Sequence, residues 1–322
     1  MLLDLTQPAG SPLSVTLEAL LHAADDYVPR LQAAAGAAAA EQPQQCPVVA
    51  IMAEQGAELM LCQLIAQRAG CAFLLVDPSL PQDRVRYLLN DSGAMAMLLV
   101  APHGPALPES LPIIHVQCRA SSAVQLTSPS GCADVARALL APSARGTLMY
   151  VCYTSGSTGR PKGVAVSQGS LVAYAEANAV AHAIGPSSRV LLTSAVSFDP
   201  CIGEAWTALL AGATLCLPSR TSVRESLGAL LASSAATHVC STPALWTTVG
   251  GSPAAFPHLE VVTLGGERMS AALIARWASE LDEAHRSSSE LIGAHRSSSD
   301  DLIGAHRSSS ELIGAHRSSS DD

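Results

Sequence analysis

Short runs of apolar and β-branched residues alternate along this chain with longer segments whose apolar positions recur at helical spacing. The runs PVVAIM (47–52), CAFLLV (71–76), AMAMLLV (94–100), TLMYVCY (147–153), VLLTS (190–194), ATLCL (213–217), THVC (237–240) and LEVVTL (259–264) predict strands. Helices are predicted over 54–69, 82–90, 169–183, 201–211, 223–234 and 269–281. Alternation of this kind predicts an α/β fold with largely parallel strands. The segment 101–146 is rich in Pro, Ser and Gly and reads as a long surface connection around one strand (112–117), a candidate boundary between two subdomains. AAAGAAAA (33–40) reads either as the end of a helix or as a low-complexity linker.

The pattern stops near Trp277. Residues 284–304 read AHRSSSELIGAHRSSSDDLIG, and 305–322 repeat the first 18 of them unchanged. A perfect 21-residue repeat with little apolar periodicity buries little surface, so residues 279–322 are predicted to be disordered. Its histidines (285, 295, 306, 316) follow the repeat, and no metal site is assigned to them.

Composition narrows the classes. Apolar residues make up 48% of the 322 and charged residues 14%, ample material for a core, built mostly of small aliphatic side chains because aromatics are 3%. A net charge of −9 leaves no basic stripe for nucleic acid. Nine cysteines without a CxxC pair predict reduced, mostly buried thiols and a cytoplasmic protein. The first residues lack the basic start of a signal peptide, and no apolar run reaches the roughly 18 residues of a membrane span.

One stretch carries legible chemistry. TSGSTGRPKG (154–163) is a run of hydroxyls and glycines that ends in Lys162, the only lysine in the chain. Glycines allow close backbone approach, amides and hydroxyls donate hydrogen bonds, and an ammonium offsets charge, which is what phosphate oxygens require. The cations elsewhere are arginines, so this position calls for a compact ammonium. The spacing is not that of a Walker loop, because no GK[ST] follows.

TLMYVCYTSGSTGRPKG, followed by GVAVSQGSLVAYAEANA, closely resembles the signature of the adenylate-forming superfamily: acyl-CoA synthetases, luciferases and the adenylation domains of nonribosomal peptide synthetases. RAGCAFLLVDPSLPQDRVRYLLNDSGA (68–94) resembles the peptide-synthetase branch, and VTLEALLHAADDYVPRL (15–31) resembles its opening helix. The resemblance runs from about Val15 to Trp277. It implies stacked α/β subdomains of the large adenylate-forming domain, here divided as 15–145 and 146–278 after a lead-in of 1–14.

By the same resemblance Thr154, Ser155, Gly156, Ser157, Thr158, Gly159 and Lys162 hold the ATP phosphates, and Lys162 is the one catalytic residue assigned. SFDPCIGEAWTALLAGATLCL (197–217) resembles the next motif, which puts Asp199 on the substrate α-ammonium and Phe198 beside it. Alternatively Asp199 caps the following helix, which Pro200 in its first turn would suit. The register then places Gly203, Cys240, Val262 and Leu264 around the substrate side chain, with Gly203 leaving room for a large one. Each of these could equally be core. Gly265, Gly266 and Glu267 either lie against adenine or form a plain strand-to-helix turn.

The implied function is ATP-dependent activation of an amino acid as aminoacyl-AMP, with Mg2+, for loading onto the phosphopantetheine thiol of a peptidyl carrier protein. An acyl- or aryl-CoA synthetase and a non-catalytic nucleotide-binding remnant are the alternatives. The chain departs from the pattern at Gln168, where His is usual, and at FDPC in place of FDxS. It also lacks a Tyr-Gly-Pro-Thr-Glu loop, a ribose-binding aspartate and a second lysine. Negligible turnover by 1–322 alone is therefore expected, as is exposed apolar surface around 237–277.

Overall fold

Each predicted apolar run is a strand in the structure, a computed structural model that describes residues 2–4, 13–39, 46–100, 107–117, 147–155 and 160–277. The repeat tail, most of 101–146 and residues 156–159 lie outside the described residues.

The elements in chain order are β1 (Leu2–Asp4), β2 (Leu13–Val15), α1 (Leu17–Asp25), α2 (Val28–Ala39) and β3 (Val48–Met52). There follow α3 (Ala57–Arg68), β4 (Ala72–Val76), α4 (Gln82–Ser92), β5 (Ala96–Leu99) and β6 (Ile113–His115). Next come β7 (Leu148–Thr154), β8 (Lys162–Ser167), α5 (Gln168–Ala181), β9 (Arg189–Leu192) and α6 (Asp199–Leu210). The last are β10 (Thr214–Leu217), α7 (Arg220–Ser234), β11 (His238–Ser241), the single turn α8 (Pro243–Trp246), β12 (Val261–Leu264) and a helix, α9, over 271–277. AAAGAAAA thus belongs to a helix as far as Ala39. The helix expected over 15–31 is broken at residues 26–27 into α1, capped by the Thr16 hydroxyl, and α2.

The strands form two six-stranded sheets, in the orders β6-β5-β3-β4-β7-β8 and β12-β11-β9-β10-β1-β2. Every neighbouring pair is parallel except the antiparallel pairs β7/β8 and β1/β2. β7 and β8 complete the sheet of residues 48–115, while β1 joins the sheet of later residues, so the sheets interleave across residue 145. Sequence periodicity does not mark β1, β2 or β8, which are short or lie at a sheet edge. β12 is an edge strand among the described residues, with all four side chains half-buried, and Ile274 nearby is exposed.

One apolar body joins the sheets. It includes Ile51, Phe73 and Met149 from the first, Leu192 and Leu215 from the second, and α3 and α6 between them. α3 is buried at Ala57 and at every position from Leu59 to Gln67, as a helix covered on all sides must be. Two side-chain hydrogen bonds cross this layer. Trp206 Nε1 donates to Gln63 Oε1 at 2.9 Å, and Gln168 Nε2 donates to Gln67 Oε1 at 2.7 Å. The unusual Gln168 is thus buried and spoken for.

An ion pair ties the rim of this seam. Arg220, at the start of α7, reaches Asp77 at the end of β4, and Asp77 also accepts hydrogen bonds from the Ser79 amide and hydroxyl at 2.8 and 2.6 Å. Burial pushes the Asp77 carboxyl up, but the Ser79 hydrogen bonds and the Arg220 charge outweigh it and hold it below the usual range. A depressed carboxyl contributes stability that is present above its unfolded pKa and is lost as pH falls through its folded one. Arg220→Ala leaves Asp77 to Ser79 alone and is expected to cost about 1–3 kcal/mol in urea unfolding at pH 7. The cost should shrink below pH 4; a cost that grows on acidification would contradict the pairing.

Candidate functional site

The stretch 154–162 joins the two strands of the β7/β8 hairpin. Thr154 pairs with Lys162 at its mouth, and Thr154, Ser155 and Lys162 are all exposed. Gly156, Ser157, Thr158 and Gly159 fall outside the described residues. The loop's exit is held from α4, where Tyr87 donates from its hydroxyl to the Pro161 carbonyl at 3.0 Å. Tyr153 donates to Asp91 Oδ2 at 2.8 Å and packs edge-on against Tyr87. Its ring lies so close to Gly163 that a Cβ there would meet it at 3.2 Å. The backbone leaving Lys162 is therefore fixed by two tyrosines, neither of which the motif itself singles out.

The second part of the site is the head of α6. Phe198 is the N-cap and makes no side-chain cap, while Asp199 is the first helical residue and Pro200 follows in the first turn. The Asp199 side chain is thus not the cap. It accepts a hydrogen bond from the Tyr150 hydroxyl at 2.6 Å, and the helix's positive end favours its charge. Tyr150 lies on β7 and is 4% exposed. Burial first, then the Asp199 charge, push its phenol up, so Tyr150 remains a protonated donor. Cys152 is two residues along the same strand. Burial and then Asp199 push its thiol up to about 12. Phe198 is half-exposed beside this group.

The expected side-chain pocket divides. Cys240 aligns with Thr263, whereas Val262 aligns with Val239 and Leu264 with Ser241. Side chains alternate along a strand, and aligned residues of parallel neighbours share a face. Cys240 therefore faces α5 and α6, and Val262 and Leu264 pack on the opposite side, with the Trp246 cluster. Val239 and Ser241, which the sequence reading passed over, are the β11 residues that share their face. Gly203 also departs from expectation. The space a side chain would take is filled by Tyr174 of α5, whose Cε1 lies 2.6 Å from where a Cβ would sit. The room inferred from the glycine belongs to that ring.

The Gly265–Glu267 turn continues β12 by a hydrogen bond from the Gly265 amide to the Ser241 carbonyl at 3.1 Å. Gly266 has φ +84°, a left-handed conformation that favours glycine. Glu267 Oε1 accepts from the Ala244 amide in α8, so this carboxylate holds the turn against the preceding one.

Glu204, next to Gly203, is given no role in the sequence reading yet is the most perturbed carboxyl described. It is 6% exposed, and Oε1 accepts from Ser194 Oγ at 3.1 Å. Burial pushes it up to about 8, against smaller opposing effects of Ser194 and the Cys240 thiol. Between the ordinary value of 4.5 and about 8 the folded state therefore binds the additional proton. Stability is expected to fall as pH rises through that window, by at most about 1.4 kcal/mol per pH unit, and to level off above it. Glu204→Gln should flatten the profile of urea midpoints from pH 5 to 8; an unchanged slope would show that another group sets it.

Among the described residues no three His, Cys, Asp or Glu side chains cluster as metal ligands, and no helix is long and apolar enough to cross a membrane. Similarity to known proteins follows the same division of the chain. Tyrocidine synthase 3 of Brevibacillus parabrevis is 32% identical over 233 residues, covering 71% of this chain and 4% of its own length. The solved structure of the nonribosomal peptide synthetase FmoA3, in its alpha-methyl-L-serine-AMP bound form, superposes with TM-score 0.64 at 22% identity. That match covers 85% of this chain and 29% of FmoA3. Holo-PA1221, an NRPS protein containing adenylation and PCP domains, gives TM-score 0.59 at 20% identity, over 86% of this chain and 45% of its own. The chain thus spans less than half of each of these proteins, and the two structures show a shared fold. The family description "AMP-binding enzyme" matches residues 26–290, most of the chain, with the hairpin loop and the head of α6 both inside the match. The chain belongs to the AMP-binding enzyme family.

Proposed function

We propose that this chain is an adenylation domain of the nonribosomal-peptide-synthetase kind, which binds ATP and an amino acid and joins them as an aminoacyl-AMP. The observation that carries this is the hydrogen bond from Tyr150 to Asp199. It sets the strand that enters the phosphate loop against the helix whose first residue is a carboxylate, so groups suited to the two reactants meet at one seam between the sheets. The exposed Lys162 and the hydroxyls of Thr154 and Ser155 suit the β- and γ-phosphates, and Asp199 suits an α-ammonium. A carboxylate at the mouth of an apolar pocket is costly without a cationic partner, and an amino acid supplies one.

Activation is attack of the amino acid's carboxylate oxygen on the α-phosphorus of ATP, with pyrophosphate leaving. The chain's part is alignment and stabilisation of charge on phosphoryl oxygens. Its relatives' names support transfer to a carrier-domain thiol as the next step, with a phosphopantetheine arm and an amino acid as partners. A cytoplasmic location fits the free thiols of the described cysteines. Mg2+ would accompany the nucleotide; no described residues gather to ligate it, and no step is assigned to it.

The CoA-forming alternative is disfavoured by Asp199, which a simple acyl group leaves without a cationic partner. Direct binding of labelled ATP, alongside ATP–pyrophosphate exchange with single amino acids, tests the reading. Saturable ATP binding enhanced by one amino acid, with the enhancement lost in Asp199→Ala, is expected. Acyl-CoA formation from a simple carboxylic acid, or no nucleotide binding, would overturn it.

A further inference from the structure

Asp91 stands in the last turn of α4, where the helix itself gives a carboxylate no support. That end of a helix is its negative pole, no basic side chain lies in the turn, and Gly93 in the left-handed conformation already closes the helix. The carboxylate turns to β7 instead. Its Oδ2 accepts from the Tyr153 hydroxyl at 2.8 Å. The Tyr87 hydroxyl lies 3.4 Å from Oδ1 and gives its one proton to the nearer acceptor, the Pro161 carbonyl at 3.0 Å. Burial, then the hydrogen bond and charge of Asp91, push the Tyr153 phenol up, so it remains a donor.

These groups close around residues 161–163. Pro161 is buried and its carbonyl is held by Tyr87. Gly163 is paired with Tyr153 across the hairpin and lies against its ring. Lys162 is exposed between the two. Tyr153 is fixed at its backbone by β7 and at its hydroxyl by Asp91, so its ring is a rigid support for the start of β8. The brace also acts on one face of the sheet. Tyr153 and Val151 pack with Tyr87 and Val85, whereas Tyr150 and Cys152 pack on the opposite face, where Asp199 lies. A change at Asp91 therefore reaches Lys162 directly and Asp199 only through the whole sheet.

We propose that Asp91, through Tyr153 and alongside Tyr87, positions Lys162 for the β- and γ-phosphates of the nucleotide. None of the three is assigned a contact with the ligand; they are positioning residues, and the inference rests on the phosphate reading of Lys162. An ammonium already held where the phosphates arrive binds them more tightly than one that must be ordered on binding. The brace works through its hydrogen bonds and not through charge, because a carboxylate near a polyphosphate repels it.

The test measures binding to the full 322-residue chain by calorimetry, with ATP and with AMP, which lacks the β- and γ-phosphates. Asp91→Ala and Tyr153→Phe remove the two partners of one hydrogen bond. Each should weaken ATP on the order of 10-fold, the value of about one hydrogen bond to a charged group, and leave AMP within about twofold. The double variant should be no weaker than either single one, because all three lack the same bond. Asp91→Asn should stay within about threefold of the wild type for ATP, since its amide oxygen still accepts from Tyr153. ATP should protect Lys162 from an amine-directed reagent less in Asp91→Ala than in Asp91→Asn, with urea midpoints confirming that every variant folds. Unchanged ATP affinity in Asp91→Ala, or Asp91→Asn as weak as Asp91→Ala, overturns the brace and leaves the phosphate reading standing. Equal losses for ATP and AMP also overturn it, since a general loosening of the fold does not single out the outer phosphates. A wild-type chain that binds ATP no better than AMP brings down the phosphate reading of Lys162 and the brace with it.

Discussion

Replacing Lys162 with alanine is expected to weaken ATP binding and, in a longer chain competent for turnover, to slow adenylate formation about a hundred- to a thousand-fold, the usual consequence of losing one well-placed charge-stabilising group at a phosphoryl centre. The residue pairs with Thr154 at the open end of the β7/β8 hairpin, and its ammonium is exposed. The backbone on either side is fixed by the Tyr87 hydrogen bond to Pro161 and by the Tyr153 ring against Gly163, so the cation is presented from a rigid base. Because it is the chain's only lysine, an amine-directed reagent has one side-chain target besides the N-terminus. ATP should slow labelling of Lys162 several-fold, and adenosine, which lacks the phosphates, should not. Lys162→Arg should restore little, since a broad planar guanidinium does not replace a compact ammonium. Labelling indifferent to ATP, or unchanged ATP affinity in Lys162→Ala, would remove this residue from the phosphate site.

How far such a site can be read in advance depends on whether its parts are local. The strand, loop and lysine of 147–163 are contiguous, and their chemistry follows from residue types in order. β8 was missed because KGVAVS is an edge strand with most of its positions exposed, so burial imposes no clear alternation on it. Gly203 shows a different failure. What fills the space above a glycine comes from Tyr174, on another helix, and no spacing within α6 reports it. Only the family resemblance groups Cys240 with Val262 and Leu264; the face a strand residue takes is fixed by register with its neighbour, and a shift of one residue reverses it. Residue type alone assigns Glu204 no role, since a glutamate in a helix ordinarily faces water. Only the packing of α6 between the sheets makes it a buried acid.

That packing is also where the largest loss of stability is expected. Trp206 is fully buried on α6, and its indole N–H donates to Gln63 of α3 across the layer between the sheets. Trp206→Ala removes a large aromatic from a core made mainly of small aliphatic side chains, which cannot collapse far into the space. Truncations of this kind cost about 3–5 kcal/mol, and the orphaned Gln63 oxygen adds about 1–3 more. Domains of ordinary stability have about 5–15 kcal/mol in total, so a large share of the folded population is at risk. Function should suffer before the chain unfolds. Lys162 is held by the first sheet and Asp199 by a helix of the second, and the Tyr150 contact between them spans only 2.6 Å. A slackened seam misplaces one reactant relative to the other, and small misplacements at a reacting centre cost about a hundred-fold in rate. Trp206→Phe keeps most of the volume and loses the N–H with part of the ring system, so it should retain much of the stability that alanine forfeits. Urea midpoints in the order wild type, Phe, Ala, with nucleotide binding lost in the alanine variant at denaturant levels that leave the wild type intact, are the expected result. Equal midpoints for all three would mean that the two sheets are held together somewhere other than at α3 and α6.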